Sequence, residues 1–159
     1  MKIPRVYLET TIFNFVFAED APEKTWATIK LFEEIKAGRY APYASDYVID
    51  ELNRAPEPLR SGMLDLFDRY EVINLEALEE ADKLAGIYLK ERVVPPSHPM
   101  DALHLAIAAV MEMDFIVSWN FRHIVKRNTI LATGAINLRE GYKPIGIFSP
   151  MEVIDYADN

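Results

Sequence analysis

The chain contains no cysteine. That excludes a disulfide framework and any metal site built on thiolates. No apolar run reaches the roughly 18 residues that span a bilayer. The opening "MKIPRVYLETT" also lacks the apolar core of a signal peptide. Both absences point to a cytoplasmic protein without membrane contact. Positive charge is scarce too: 17 Lys and Arg stand against 25 Asp and Glu, for a formal net charge of −8. Taken alone, this argues against a nucleic-acid partner, because phosphate binding rests on basic side chains. Net charge is only a global sum, however. Carboxylates gathered to hold a metal raise the acid count and still serve a phosphate substrate. No repeat, linker or low-complexity tract interrupts the chain.

What remains is 159 residues, 50% of them hydrophobic, enough for one domain spanning 1–159 with a sizeable core. Strand patterns over 5–9, 39–45, 71–75, 115–119 and 143–150 alternate with helical ones. Helices are predicted over 22–38, 46–55, 58–70, 76–93 and 100–112, with a short helix or turn at 10–18 and a loop with irregular helix at 121–142. In the first long helix, Trp26, Ile29, Leu31, Phe32 and Ile35 read as an apolar stripe between Pro22 and Gly38. This alternation predicts an α/β fold, a three-layer α/β/α sandwich around a mainly parallel central sheet.

In such sheets, ligands bind beyond the carboxyl ends of the strands. Glu9 ends the first strand pattern, Ser45 ends the second, and Asp50 and Glu51 lie on the helix that follows. "MDALHLAIAAVMEMDFIVSWN" (100–120) opens on Asp101, runs through an apolar helix and a strand, and closes on Asn120. The fold predicts that Glu9, Glu51, Asp101 and Asn120 meet at one sheet edge. Converging carboxylates repel one another, which calls for a divalent cation and predicts that mutual repulsion raises at least one of their pKa values. Each residue also has an ordinary reading. Asp101 suits a helix N-terminus, Glu9 and Glu51 suit solvated positions, and Trp119 suits the core. His104, one turn after Asp101, either orients a polar neighbour or satisfies a core hydrogen bond; the second is preferred.

Four patches, "VYLETTIFNF" (6–15), "YASDYVIDEL" (43–52), "DALHLAIA" (101–108) and "DFIVSWNFRHI" (114–124), give the set a familiar order and spacing. The sequence resembles the PIN-domain ribonucleases, including VapC-type toxins of toxin–antitoxin pairs. The resemblance implies an acidic site that binds Mg²⁺ or Mn²⁺ and hydrolyses RNA. It further implies RNA as substrate, with an antitoxin protein and a second copy of the chain as partners. By position, Glu9, where the family usually has Asp, Glu51 and Asp101 match the metal-holding acids. Asn120 falls where many members carry a fourth Asp, and Thr10, Thr11 and Ser118 match hydroxyl positions beside the acids. Arg122, Lys126 and Arg127 in "FRHIVKR" would contact RNA phosphate, the ordinary reading being a solvated loop. Asp114, at the start of its strand, reads as structural because it lies at the far sheet edge.

Three other readings compete. Glu9 and Asn120 also suit a PIN-like RNA- or protein-binding module with impaired catalysis. A haloacid dehalogenase-type phosphatase needs an aspartate nucleophile and a second aspartate two residues on, where this chain has Glu9-Thr10-Thr11. A Rossmann-type nucleotide binder needs a glycine-rich turn after the first strand, and none is present.

Overall fold

The computed structural model describes residues 2–156; residue 1 and residues 157–159, part of the predicted domain span, lie outside the described residues. The chain runs β1 (Arg5–Leu8), α1 (Thr10–Phe15), α2 (Pro22–Lys36), β2 (Ala41–Ser45), α3 (Asp46–Leu52), α4 (Leu59–Arg69) and β3 (Ile73–Leu75). It continues α5 (Glu79–Lys90), α6 (Pro99–Val110), β4 (Phe115–Val117), α7 (Arg127–Arg139), β5 (Gly146–Phe148) and α8 (Pro150–Val153).

The five strands pair in the order β3-β2-β1-β4-β5, all parallel. Helices cover both faces, as the sandwich reading expects. Val6, Tyr7 and Leu8 are fully buried because β1 is central and covered on both sides. Phe13 stacks on Phe67 and meets Phe32 edge-on, joining α1, α2 and α4. On the other side α5 packs along α6, and Tyr88 of α5 donates a hydrogen bond to Asn137 Oδ1 of α7.

The strand order creates the site. From β1 the chain steps outward to β2 and β3, then returns across β1 to place β4 and β5 on its other side. Strand order therefore reverses between β1 and β4, and at such a switch point the connections leave in opposite directions and open a crevice. The register pairs Tyr7 with Tyr43 and with Ile116, and Leu8 with Val117. Glu9 continues this ladder through its N–H to the Val117 carbonyl (3.2 Å).

Local chemistry explains most of the boundaries. Pro22 and Pro99 start α2 and α6, where a missing N–H costs nothing. α2 ends in a Schellman pattern: Gly38 N–H reaches the Ile35 carbonyl and Arg39 N–H the Glu34 carbonyl, with Gly38 at φ 85°. Asp114 is structural, its carboxylate accepting from the Arg5 N–H (2.7 Å) at the amino edge of the sheet.

Three readings need correction. Trp26 (47% exposed) and Ile29 (42%) face solvent, because the inward face of α2 is centred on Ala27, Thr28, Leu31, Phe32 and Ile35. The 121–142 segment is not irregular throughout: after turns it forms the regular helix α7. Its buried face mixes Ile136 with Thr129, Thr133 and Asn137, which weakens the apolar period. The strand predicted at 143–150 narrows to Gly146–Phe148, since Ser149 and Glu152 form a capping box that begins α8.

Candidate metal centre

Glu9 leaves β1 as the N-cap of α1, with its carboxylate turned back over the sheet edge. Its Oε1 accepts hydrogen bonds from the Thr11 hydroxyl (2.6 Å), the Thr11 N–H (3.3 Å) and the Ser118 hydroxyl (2.6 Å). Ser118 follows β4, so this bond ties the ends of β1 and β4 together across the switch point. The Ser118 oxygen also accepts from the Asn120 N–H (2.9 Å), and the Thr11 oxygen from the Trp119 N–H (2.8 Å).

Glu51 approaches from α3, which begins directly after β2. Its Oε1 accepts from the Thr10 hydroxyl (2.6 Å) and from His104 Nε2 (2.6 Å). His104, on α6, is fully buried. Its Nδ1 meets the Tyr7 hydroxyl at 2.6 Å, and that hydroxyl meets Ser45 Oγ at 2.6 Å. β1, β2, α3 and α6 are thus joined by one hydrogen-bonded chain. His104 satisfies a core hydrogen bond through Nδ1, the preferred of its two readings, and through Nε2 it also orients Glu51. Asp50 is exposed beside it.

One ligand atom each from Glu9, Glu51 and His104 lies within 4.8 Å of the others, and this is the group among the described residues that could hold a metal ion. His104 is the member that the sequence reading left out of its metal set. Its signal was present, since it stands one helical turn from Asp101 and faces inward on an apolar helix. Asp101 sits outside that group but borders it. Its Oδ1 accepts from Asn120 Nδ2 (3.3 Å), while Oδ2 is buried without a hydrogen-bond partner among the described residues. Asn120 turns its carbonyl oxygen away from Asp101, to the His123 N–H (2.9 Å), and presents its amide instead. All three histidines of the chain, His104, His123 and His98, lie near enough to Asp101 to bear on its charge. The rings of His98 and His123 are 4.3 Å apart between centroids.

The charge states follow from these surroundings. Burial pushes the Glu9 carboxyl upward; His104, Ser118 and Thr11 oppose the rise, and the Glu51 charge adds to it. Burial likewise raises Asp101, against the pull of the three histidines. Mutual repulsion between the acids is therefore the smaller cause, and burial the larger. Burial also acts upward on Glu51, but the hydrogen bond and charge of His104 and the Thr10 hydroxyl outweigh it, and the Glu51 carboxyl ends lowered. Burial acts downward on His104, yet the Glu51 hydrogen bond and the charges of Glu9, Glu51 and Asp101 leave it raised. The pairing favours a charged His104 beside an ionised Glu51, each supporting the other's charge.

The donor set fits a divalent cation. All protein hydrogen bonds to Glu9 and Glu51 fall on Oε1, so neither Oε2 meets a protein donor among the described residues. With Asp101 Oδ2, three carboxylate oxygens are left for another partner. Both ring nitrogens of His104 are engaged, by Glu51 and by Tyr7, so the open donors are carboxylate oxygens, which suit a hard divalent cation such as Mg²⁺ or Mn²⁺. Thr10 and Thr11 are consecutive, and each serves a different carboxylate. Arg122, Lys126 and Arg127 are exposed and form no ion pair among the described residues. No described helix is long and apolar enough to cross a membrane. Compared with known proteins, the chain matches no family model and no curated sequence.

Proposed function

We propose that this chain is a divalent-metal-dependent endoribonuclease of the PIN-domain kind, a reading that extends to the toxin of a toxin–antitoxin pair. One observation carries it. Glu9, Glu51 and His104 converge at the switch point of an all-parallel sheet, with unpaired carboxylate oxygens beside them. Mg²⁺ or Mn²⁺ held by Glu9, Glu51 and Asp101 would supply Lewis acidity toward a phosphoryl oxygen and ease the ionisation of water near neutral pH. The chain's own residues do the rest. His104 and Thr10 fix the Glu51 carboxylate, while Thr11 and Ser118 fix that of Glu9, so both stay oriented without reorganisation. Asn120 holds the loop after β4 against Asp101 and, by accepting from the His123 N–H, ties the start of "FRHIVKR" to the same place. Arg122, Lys126 and Arg127 offer charge to RNA phosphate there.

The test is cleavage of a mixed RNA pool with Mn²⁺, with Mg²⁺ and with EDTA. Cleavage is expected with metal, none with EDTA, and at least a hundred-fold less for Asp101→Asn, which keeps shape and removes charge. Activity that survives both EDTA and Asp101→Asn would sink the reading. RNA binding without metal-dependent cleavage would favour an impaired binding module instead.

A further inference from the structure

We propose that Phe121 and Lys24 form a stacking subsite for an unpaired base of single-stranded RNA, beside the carboxylates. The inference rests on the ribonuclease reading and adds where the strand lies. Phe121 is 47% exposed, a large apolar ring left in water one residue after Asn120. It is nonetheless held in place. Its N–H donates to the Trp119 carbonyl (3.0 Å), and its ring stands at 77° to the Trp119 indole. Trp119 in turn is buried and anchored by Nε1–H to Thr28 Oγ1 (2.8 Å), so it serves as the foundation rather than the platform.

Lys24 explains the electrostatics. Its ammonium lies 5.2 Å from the Phe15 ring centroid, 5.6 Å from that of Trp119 and 5.5 Å from that of Phe121. It forms no ion pair among the described residues. Three rings thereby confine a point charge that would otherwise roam on a flexible stem. Nearly half of Phe121 stays open with the ammonium in place.

The cluster is coupled to the carboxylates. Trp119 N–H binds Thr11 Oγ1, which donates to Glu9 (2.6 Å). Phe121 follows Ser118 by three residues, which keeps their Cα atoms within about 11 Å. Beyond Phe121 the exposed Arg122, Lys126 and Arg127 extend the positive charge, in a chain whose net charge is −8. An aromatic face flanked by cations is what a single strand uses: bases stack and phosphates meet the charge. A duplex hides its base faces, so the subsite selects unpaired ones.

The experiment is a fluorescence anisotropy titration in EDTA, where cleavage plays no part, with a labelled single-stranded RNA of roughly 12 nucleotides and with its duplex. Wild type should bind the single strand more tightly than the duplex. Phe121→Ala should weaken single-strand binding by about fivefold to 150-fold. Phe121→Trp should retain it, and Phe121→Leu should not. Lys24→Gln should lower the salt slope of binding by about 0.7. Unchanged affinity in Phe121→Ala overturns the proposal, and so does full affinity in Phe121→Leu, which would mark a plain apolar contact suited to a protein. Binding that depends on Phe121 without any metal-dependent cleavage leaves the subsite standing and removes the ribonuclease. Cleavage with binding indifferent to Phe121 does the reverse.

Discussion

Glu51→Gln separates the metal from the hydrogen bonds. Gln can still accept from Thr10 and His104 through its oxygen, and its new NH₂ takes the place of Oε2, which no protein donor reaches among the described residues. The metal-free fold should therefore survive. The cost is that a charge-assisted bond to His104, worth about 1.5–3 kcal/mol, becomes a neutral one worth about 0.5–1.5 kcal/mol once the imidazole loses the carboxylate that favours its charged form. A net loss of about 1–1.5 kcal/mol corresponds to a fall in melting temperature of roughly 2–6 °C for a domain of this size. The metal effect is larger and runs the other way. At a concentration near 100 times Kd, a cation that binds only the folded state stabilises by about 2.7 kcal/mol, or roughly 5–10 °C. Thermal melts in EDTA and across a Mn²⁺ series read both effects. Wild type should show the rise, whereas Glu51→Gln should start slightly lower and barely respond. An equal Mn²⁺ shift in both proteins would refute the role given to Glu51.

Asn120→Asp sets a second carboxylate about where the amide now meets Asp101 Oδ1 at 3.3 Å. The melting temperature in EDTA should fall, and calorimetry should show tighter Mn²⁺ binding, because like charges that close need a cation; unchanged affinity would count against Asn120 bordering the metal. Tyr7→Phe strips the hydroxyl shared by Ser45 and His104, both fully buried. Chemical denaturation should show a loss of about 1–3 kcal/mol, and a neutral result would mean that the buried chain carries no net stability. Finally, the metal-free protein should be most stable in mild acid. His104 is raised, so its pairing contributes fully below about pH 6.5 and is lost as pH climbs through the folded value; Glu51 is lowered, so its share persists above about pH 4.3 and is lost only as pH falls through the folded value. Glu9 is raised, so its penalty is absent in acid and grows above about pH 4.3. Melts in EDTA should decline toward pH 8, and a flat profile would contradict these charge states.

Much of the fold was legible because its signals are local. β1 and β4 read as apolar runs because both faces of each are covered. Proline starts α2 and α6, and a glycine at positive φ follows α2. The same locality explains the misses. α7 turns Thr129, Thr133 and Asn137 inward, and the partners of two of them, the His123 carbonyl for Thr129 and the Tyr88 hydroxyl for Asn137, leave no trace in hydropathy. The stripe on α2 was drawn too wide because Trp26 and Ile29 are apolar yet exposed.

For the candidate site, sequence alone determined position along the chain: Glu9 at the end of a strand, Glu51 and Asp101 on helices, and Asn120 past the strand that follows. Strand order decided the rest. Only the return of the chain across β1 brings Ser118 against Glu9, 109 residues away in sequence, and His104 against Glu51, 53 residues away. Whether a buried histidine is idle or is the countercharge of a carboxylate depends on what stands 2.6 Å from its ring. That distance is a property of the packed sheet and helices, because hydrogen bonds and charge act through space and a linear pattern records only neighbours along the chain.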